Sequence, residues 1–152
     1  MTLTDRASSL RALEHEVGVM LRRVRRVIGV RAQMVHPDLQ PASYLILSSV
    51  ADSGPVRASR LVELFDTDKG AVSRQVGHLL DLGLLVKERD PDDARAWLIS
   101  VTDEATRRIA DVVEHRHKLL DEGLADWSDA QLDAFVSDLG RYNTALNDAS
   151  GL

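Results

Sequence analysis

Apolar positions in this chain follow one spacing at its two ends and another in the middle. From about Leu3 to Val35, Leu3, Leu10, Val17 and Val24 repeat every seven residues, and Leu13, Met20, Val27 and Met34 fill a second line of the same seam. A 3-4 spacing of this kind buries a stripe against another helix rather than against a sheet. A single helix of that length in so small a protein needs partners from other helices or from another subunit to cover the seam. His36-Pro37-Asp38 ends it, because the residue before a proline is steered away from helical angles. A second helix follows from about Pro41 to Asp52, with Tyr44, Leu45, Leu47 and Val50 apolar, and Ser53-Gly54-Pro55 turns the chain. Pro55-Val56 has the character of a short edge strand, and Leu61, Val62 and Phe65 give a short third helix, about Ala58 to Phe65, an inward face.

From Phe65 to Val101 the pattern changes from helical to strand-like. Val72, Val76, Leu79 and Leu80 form one helical stripe, which predicts a helix ending at Gly83 with Gly70, Ala71, Arg74 and His78 on its opposite side. Asp66, Thr67 and Asp68 are each suited to cap its start, and Gly83 to end it in a left-handed conformation. Two short apolar runs follow, Leu84 to Arg89 and Ala96 to Val101, the second rich in β-formers. Asp90-Pro91-Asp92-Asp93-Ala94-Arg95 between them has turn chemistry and makes a hairpin tip flanked by Arg89 and Arg95. Helix, tight turn, helix, then hairpin is the outline of a DNA-reading winged helix. Small residues let the start of the second helix sink close to a base edge, and arginine is the side chain best shaped to grip guanine's two major-groove acceptors.

Thr102 caps the next helix, with Asp103 and Glu104 in its first turn, and Ile109, Val112, Val113, Leu119 and Leu120 are its buried positions as far as about Ala125. Ser128-Asp129-Ala130-Gln131 is a capping box for a last helix, in which Leu132, Phe135, Leu139, Tyr142 and Leu146 form another seam. The two terminal seams hold more apolar surface than a small winged helix can cover alone, which implies a helical dimer interface built from both chain ends.

Composition narrows the chemistry. At 152 residues and 16.8 kDa the chain accommodates one domain with added helices. Charges interrupt every apolar segment well short of the roughly 20 residues a membrane span needs. Met1 to Arg6 lacks a basic stretch followed by an apolar one, so a secretory signal is not expected and a cytoplasmic protein is. There is no cysteine, which excludes disulfides, thiolate metal sites and thiol catalysis. The formal net charge is −5, unevenly spread. Residues 5 to 35 carry seven arginines against three acids, residues 55 to 101 seven basic residues against eight acids, and residues from 102 onward five against eleven. The winged segment is therefore nearly neutral, and any cationic surface on it must come from placement.

The ordered set Gly54-Pro55-Val56-Arg57-Ala58-Ser59-Arg60-Leu61, Asp68-Lys69-Gly70-Ala71-Val72-Ser73-Arg74-Gln75-Val76, Leu82-Gly83-Leu84-Leu85, Arg89 to Ala96 and Val101-Thr102 closely resembles the MarR family of bacterial transcription regulators, over nearly the whole chain. The resemblance implies a mainly α protein with a small β-hairpin wing. Its winged helix-turn-helix DNA-binding domain is expected over residues 37–102, and helical dimerisation regions over 1–36 and 103–152. It also implies a homodimeric repressor that binds a pseudo-palindromic operator in double-stranded DNA, with no cofactor and no enzymatic activity. The second helix of the motif would enter the major groove and Arg95 the adjacent minor groove. Lys69, Gly70, Ala71, Ser73, Arg74, Gln75 and His78 are then the major-groove or phosphate candidates. Lys87 and Arg89 are phosphate contacts, and Asp93 braces Arg95. Two positions depart from the family. Its usual Asp-Arg-Arg at the wing is here Asp93-Ala94-Arg95, and Arg57 stands where a capping serine or threonine is usual, so that it is free to meet a phosphate instead.

Members of the family commonly answer small aromatic acids or phenols, and His15, Met20, His36 and Tyr44 are the lining this chain offers for such an effector. Two other readings stay open. One is a metal-responsive regulator using His and carboxylate ligands, although His115 and His117, two apart, diverge on a helix. The other is a winged helix serving protein–protein contact without DNA. No phosphate-cradling glycine loop or hydrolytic triad spacing is present.

Overall fold

A computed structural model describes residues 5–65 and 68–148. Leu3, Asp66 and Thr67, which the sequence assigned to the first seam and to a helix cap, lie outside the described residues. The elements follow the expected order: α1 (Arg6–Val35), α2 (Pro41–Ser53), β1 (Val56–Arg57), α3 (Ala58–Phe65), α4 (Lys69–Asp81), β2 (Leu85–Asp90), β3 (Asp93–Val101), α5 (Asp103–Gly123) and α6 (Asp129–Asp148). The fold is mainly helical with one small antiparallel sheet. Among the described residues no helix is long and apolar enough to cross a membrane.

Local chemistry sets the boundaries. The Asp5 carboxylate accepts from the Ala7 amide at the start of α1. Pro41 opens α2, where its fixed φ suits the first turn and its missing N–H is no loss. Asp68 caps α4, accepting from the Gly70 amide at 2.7 Å and the Ala71 amide at 3.3 Å. Gly83, at φ +70°, closes that helix: its amide donates to the Leu80 carbonyl and the Leu84 amide to the Leu79 carbonyl, with Leu79 and Leu84 both buried. This pair of bonds satisfies the last carbonyls, and the left-handed residue between them favours glycine. Thr102 caps α5 by accepting from the Ala105 amide, while its hydroxyl donates to the Gly83 carbonyl, so the end of the hairpin is fastened to the end of α4.

The sheet order is β1-β3-β2, with the two-residue β1 on one edge (Val56 opposite Ile99) and β2 on the other (Leu85 opposite Val101). The hairpin differs from the sequence expectation, because its strands run on into the assumed tip and only Pro91 and Asp92 turn. The ladder is regular as far as Arg89 opposite Trp97, and then Asp90 pairs with Asp93. Ala94, Arg95 and Ala96 are thus left over on β3 as a bulge, a device that re-aims side chains.

The chain divides into two compact units, one ending at Val112 and one beginning at Val113. In the first, Leu47, Leu61, Leu79 and Leu84 are at most 1% exposed and share a core with Val35, Val50, Val72, Ile99, Ala105 and Val112. Each such leucine contributes roughly 1.5–3 kcal/mol by leaving water. α2 is the central element, packing on α1, α4 and β3. Arg108 Nη1 donates to the Val35 carbonyl at 2.9 Å and its Nε meets Glu104 at 2.6 Å, which holds the start of α5 against the end of α1. Arg107 and Arg108 hold the Glu104 carboxyl below its ordinary range. Only the last turns of α1 join the core; Leu10, Leu13, Met20, Val24 and Met34 of the predicted seam are exposed. In the second unit Ser128 and Gln131 form the expected capping box, the Gln131 amide donating to the Ser128 hydroxyl and the Ser128 amide to the Gln131 side chain. Trp127 and Phe135 meet edge to face at 5.5 Å, while Leu132, Phe135, Val136 and Leu146 of α6 are exposed.

Candidate nucleic-acid interface

The α4 stripe is as the spacing predicts on its inner side: Val72, Val76 and Leu79 are buried and Leu80 is half-buried. Two of the polar candidates on α4, His78 of the outer side and Gln75 beside it, are engaged from within the fold. His78 lies half-buried with its Nε2 3.1 Å from the Asp38 carbonyl, in the loop between α1 and α2. The Gln75 Oε1 accepts from the hydroxyl of Ser43, a residue of α2 with no exposed surface. Gly70 and Ala71 are half-buried at the capped end, and a Cβ at Gly70 would lie 3.0 Å from Asp68 Oδ1 and 3.3 Å from Arg74 Nη1. Lys69, Ser73 and Arg74 are the outward residues that remain exposed.

The wing carries the other cations in a defined arrangement. Arg89 and Trp97 are opposite each other across the strands, and the Arg89 guanidinium lies 4.2 Å from the indole centroid, with the Lys87 ammonium at 5.1 Å. Arg89 also donates to the Ala94 carbonyl at 2.7 Å, bridging the neck of the bulge. Stacking on an indole orients a cation while leaving its donors available. Arg95 projects from the bulge, exposed. Asp93 braces it through the backbone rather than the guanidinium: the Asp93 carboxylate accepts from the Arg95 amide at 3.0 Å. Among the described residues, the side chains of Lys69, Arg74 and Arg95 make no ion pair or hydrogen bond.

Arg57, expected to be free to meet a phosphate, is engaged within the chain. It stands on β1 with its Nε 2.7 Å from the Asp90 carboxylate, and its guanidinium also lies 4.0 Å from Asp93. Asp90 is buried, and its other oxygen accepts from the Asp92 amide at 2.9 Å. That amide and then Arg57 hold the Asp90 carboxyl below the ordinary aspartate value of 3.8, and Asp90 raises Arg57 in turn. Asp90, Ser43 and Trp97 hold candidate residues in place and were not among the sequence candidates. Asp-Pro-Asp marked a turn, but nothing in the sequence links residue 90 to 57 or 75 to 43.

An open concavity of about 850 Å³ lies between the start of α3, the Lys69 and Ser73 side of α4, and the wing, with Arg57, Lys87, Arg95 and Trp97 on its walls. Arg74 is outside it, on the neighbouring row of α4. Among the described residues, the proposed effector residues stand apart from one another within one chain. His15 and Met20 are exposed on α1, His36 follows its last turn about 30 Å from His15 at 1.5 Å per residue, and Tyr44 is buried in the core. Among the described residues no cluster of His, Asp and Glu is arranged to hold a metal ion.

Known proteins share this fold. Residues 38–96 match the model of the MarR family. The chain is 28% identical over 136 residues to the uncharacterized HTH-type transcriptional regulator YxaD of Bacillus subtilis (strain 168), covering 90% of this chain and 94% of that one. Among solved structures, it is similar to a MarR transcriptional regulator from Methanosarcina mazei Go1, with a TM-score of 0.72, 16% identity and coverage of 90% of this chain and 98% of the other. A MarR family transcriptional regulator from Listeria monocytogenes complexed with 26mer DNA is similar at a TM-score of 0.71 and 15% identity, covering 89% of each chain.

Proposed function

This chain carries a MarR-family winged helix over residues 38–96, and from that premise we propose that it is a homodimeric DNA-binding transcription repressor acting in the cytoplasm. The observation that carries the reading is the set of unpaired cations in a nearly neutral segment. Lys69 and Arg74 stand on the exposed side of α4, and Arg95 stands on the wing bulge. Lys69 is also in the first turn of α4, where the helix dipole disfavours a cation, a cost that an anionic partner removes. In this reading Arg74 and Ser73 meet base edges, with Gly70 and Ala71 letting the backbone approach. Lys69, Lys87 and Arg89 contact phosphates, and Arg95 enters the minor groove. Gln75 and His78 hold α4 on α2 rather than reaching DNA.

The exposed seams of α1 and α6 support a second copy of the chain as their cover, with residues 1–36 and 103–152 as the dimerisation region and 37–102 as the reading arm. Release by a small aromatic or phenolic effector remains part of the proposal. The test is a mobility shift with duplex DNA from upstream of the protein's own gene. A retarded band at low salt, displaced by the specific duplex before random DNA, is the expected result. No band at any salt would overturn the reading in favour of protein contact alone.

A further inference from the structure

We propose that Arg57 and Asp90 form an internal strap that positions the wing, so that Arg57 serves DNA binding through Arg95 and not by touching DNA itself. This rests on the reading of the wing as a DNA contact. Three observations meet at one place. First, Asp90 is a buried carboxylate, 6% exposed, at the point where the regular ladder ends. A buried charge is tolerated only when paired and hydrogen-bonded, and both oxygens here are occupied, one by Arg57 and one by the Asp92 amide. Second, β1 is held to β3 by two residue pairs only, Val56 with Ile99 and Arg57 with Leu98, so its hold on the hairpin is short. The Arg57 side chain extends that hold past β3 to the last residue of β2. Third, the bulge that projects Arg95 begins directly after this anchor, and Asp93, within 4.0 Å of Arg57, fixes the Arg95 amide. The far end of the hairpin has few other fastenings, because Pro91, Asp92, Ala94 and Arg95 are all exposed. Loss of the strap frees the bulge to swing, and an arginine that must enter a narrow groove then binds at the cost of ordering a mobile loop.

The alternative, Arg57 as a direct phosphate contact, predicts the opposite sign for one variant. Asp90→Asn removes the negative charge but keeps the side-chain oxygen that the Asp92 amide needs. If Arg57 touched phosphate, freeing it from a carboxylate would tighten binding; if it is a strap, binding weakens. Fluorescence anisotropy of the full chain with the upstream duplex is expected to show Asp90→Asn and Arg57→Gln each weakening binding roughly five- to tenfold. In an Arg95→Ala background the same changes are expected to cost less than about twofold, since coupled residues are not additive. Tighter binding by Asp90→Asn, or additive loss with the salt slope of Arg57→Gln reduced by about one unit, makes Arg57 a phosphate contact and overturns the strap. An Arg57→Gln variant that binds like the parent overturns it as well. If the parent chain binds no DNA, the function proposed above fails, and amide exchange decides the strap alone. Faster exchange at Asp92 and Arg95 in Arg57→Gln supports it, and unchanged exchange refutes it.

Discussion

Arg74 and Arg95 divide the proposed contact because they leave the backbone in different settings. Arg74 springs from a helix whose start is fixed by the Asp68 cap and whose inner face is buried, so its reach is directional. Arg95 springs from a bulge at the wing tip, and in the proposed contact it follows the groove. Arg74→Ala is expected to cost about 1–3 kcal/mol on the specific duplex and to relax choice at one base position. Arg95→Ala should weaken specific and random DNA alike and lower the salt slope by about one unit. Competition titrations at several salt concentrations separate the two, and equal behaviour of both variants would refute the division. Asp90 gives a pH prediction of definite sign. Its carboxyl is held below the ordinary value of 3.8, chiefly by the Asp92 amide and then by Arg57, so its contribution to stability is fully present above that value. The contribution is lost as pH falls through the lowered folded value. Melting curves across the acid range to about pH 3 should therefore fall more steeply for the parent chain than for Asp90→Asn, which carries no titrating group there.

Helix ends are fixed by local bonds, and one stop and one cap are testable. Gly83→Ala forces a side chain into a left-handed backbone, with open space around the new Cβ, so the cost is backbone strain alone: about 1 kcal/mol, seen as a lower thermal midpoint. An unchanged midpoint would mean that α4 ends differently in solution. Ser128→Ala removes the acceptor for the Gln131 amide and should cost about 1 kcal/mol, with Ser128→Asp recovering most of it. These caps were legible in the sequence because capping is local, a matter of a few consecutive residues and their polar atoms. The bulge was not. Its signal, a ladder that jumps from Arg89–Trp97 to Asp90–Asp93, depends on pairing between strands, and the same residues read equally well as an open six-residue tip. The strap and the Gln75–Ser43 bond were illegible for the same reason, joining positions 33 and 32 apart in sequence.

At the scale of the molecule, the exposed seams carry the remaining prediction. Light scattering at micromolar concentration is expected to give about twice the 16.8 kDa chain mass. Phe135→Glu, on the exposed face of α6, should return it to the single-chain value with helical content retained. A parent chain that scatters as a monomer would sink the dimer. If the dimer forms, its operator should carry two half-sites about one helical turn, ~34 Å, apart, and lengthening the spacing by half a turn should abolish tight binding. The sequence by itself determined the order of the described elements, the stripe of Val72, Val76 and Leu79, the caps at Thr102 and Ser128, and the glycine stop at Gly83, because periodicity and capping are properties of neighbouring residues; among its three candidates for the start of α4, the structure shows Asp68 as a cap. It also made the wing cations visible as residues. Only the tertiary structure decided which of them are free. Burial of Asp90 drew Arg57 inward, the indole of Trp97 oriented Lys87 and Arg89 without occupying all their donors, α2 and its preceding loop engaged Gln75 and His78 of α4, and the bulge left Arg95 outside. A side chain's partner is set by what the fold brings within hydrogen-bonding distance, and that distance is not written along the chain.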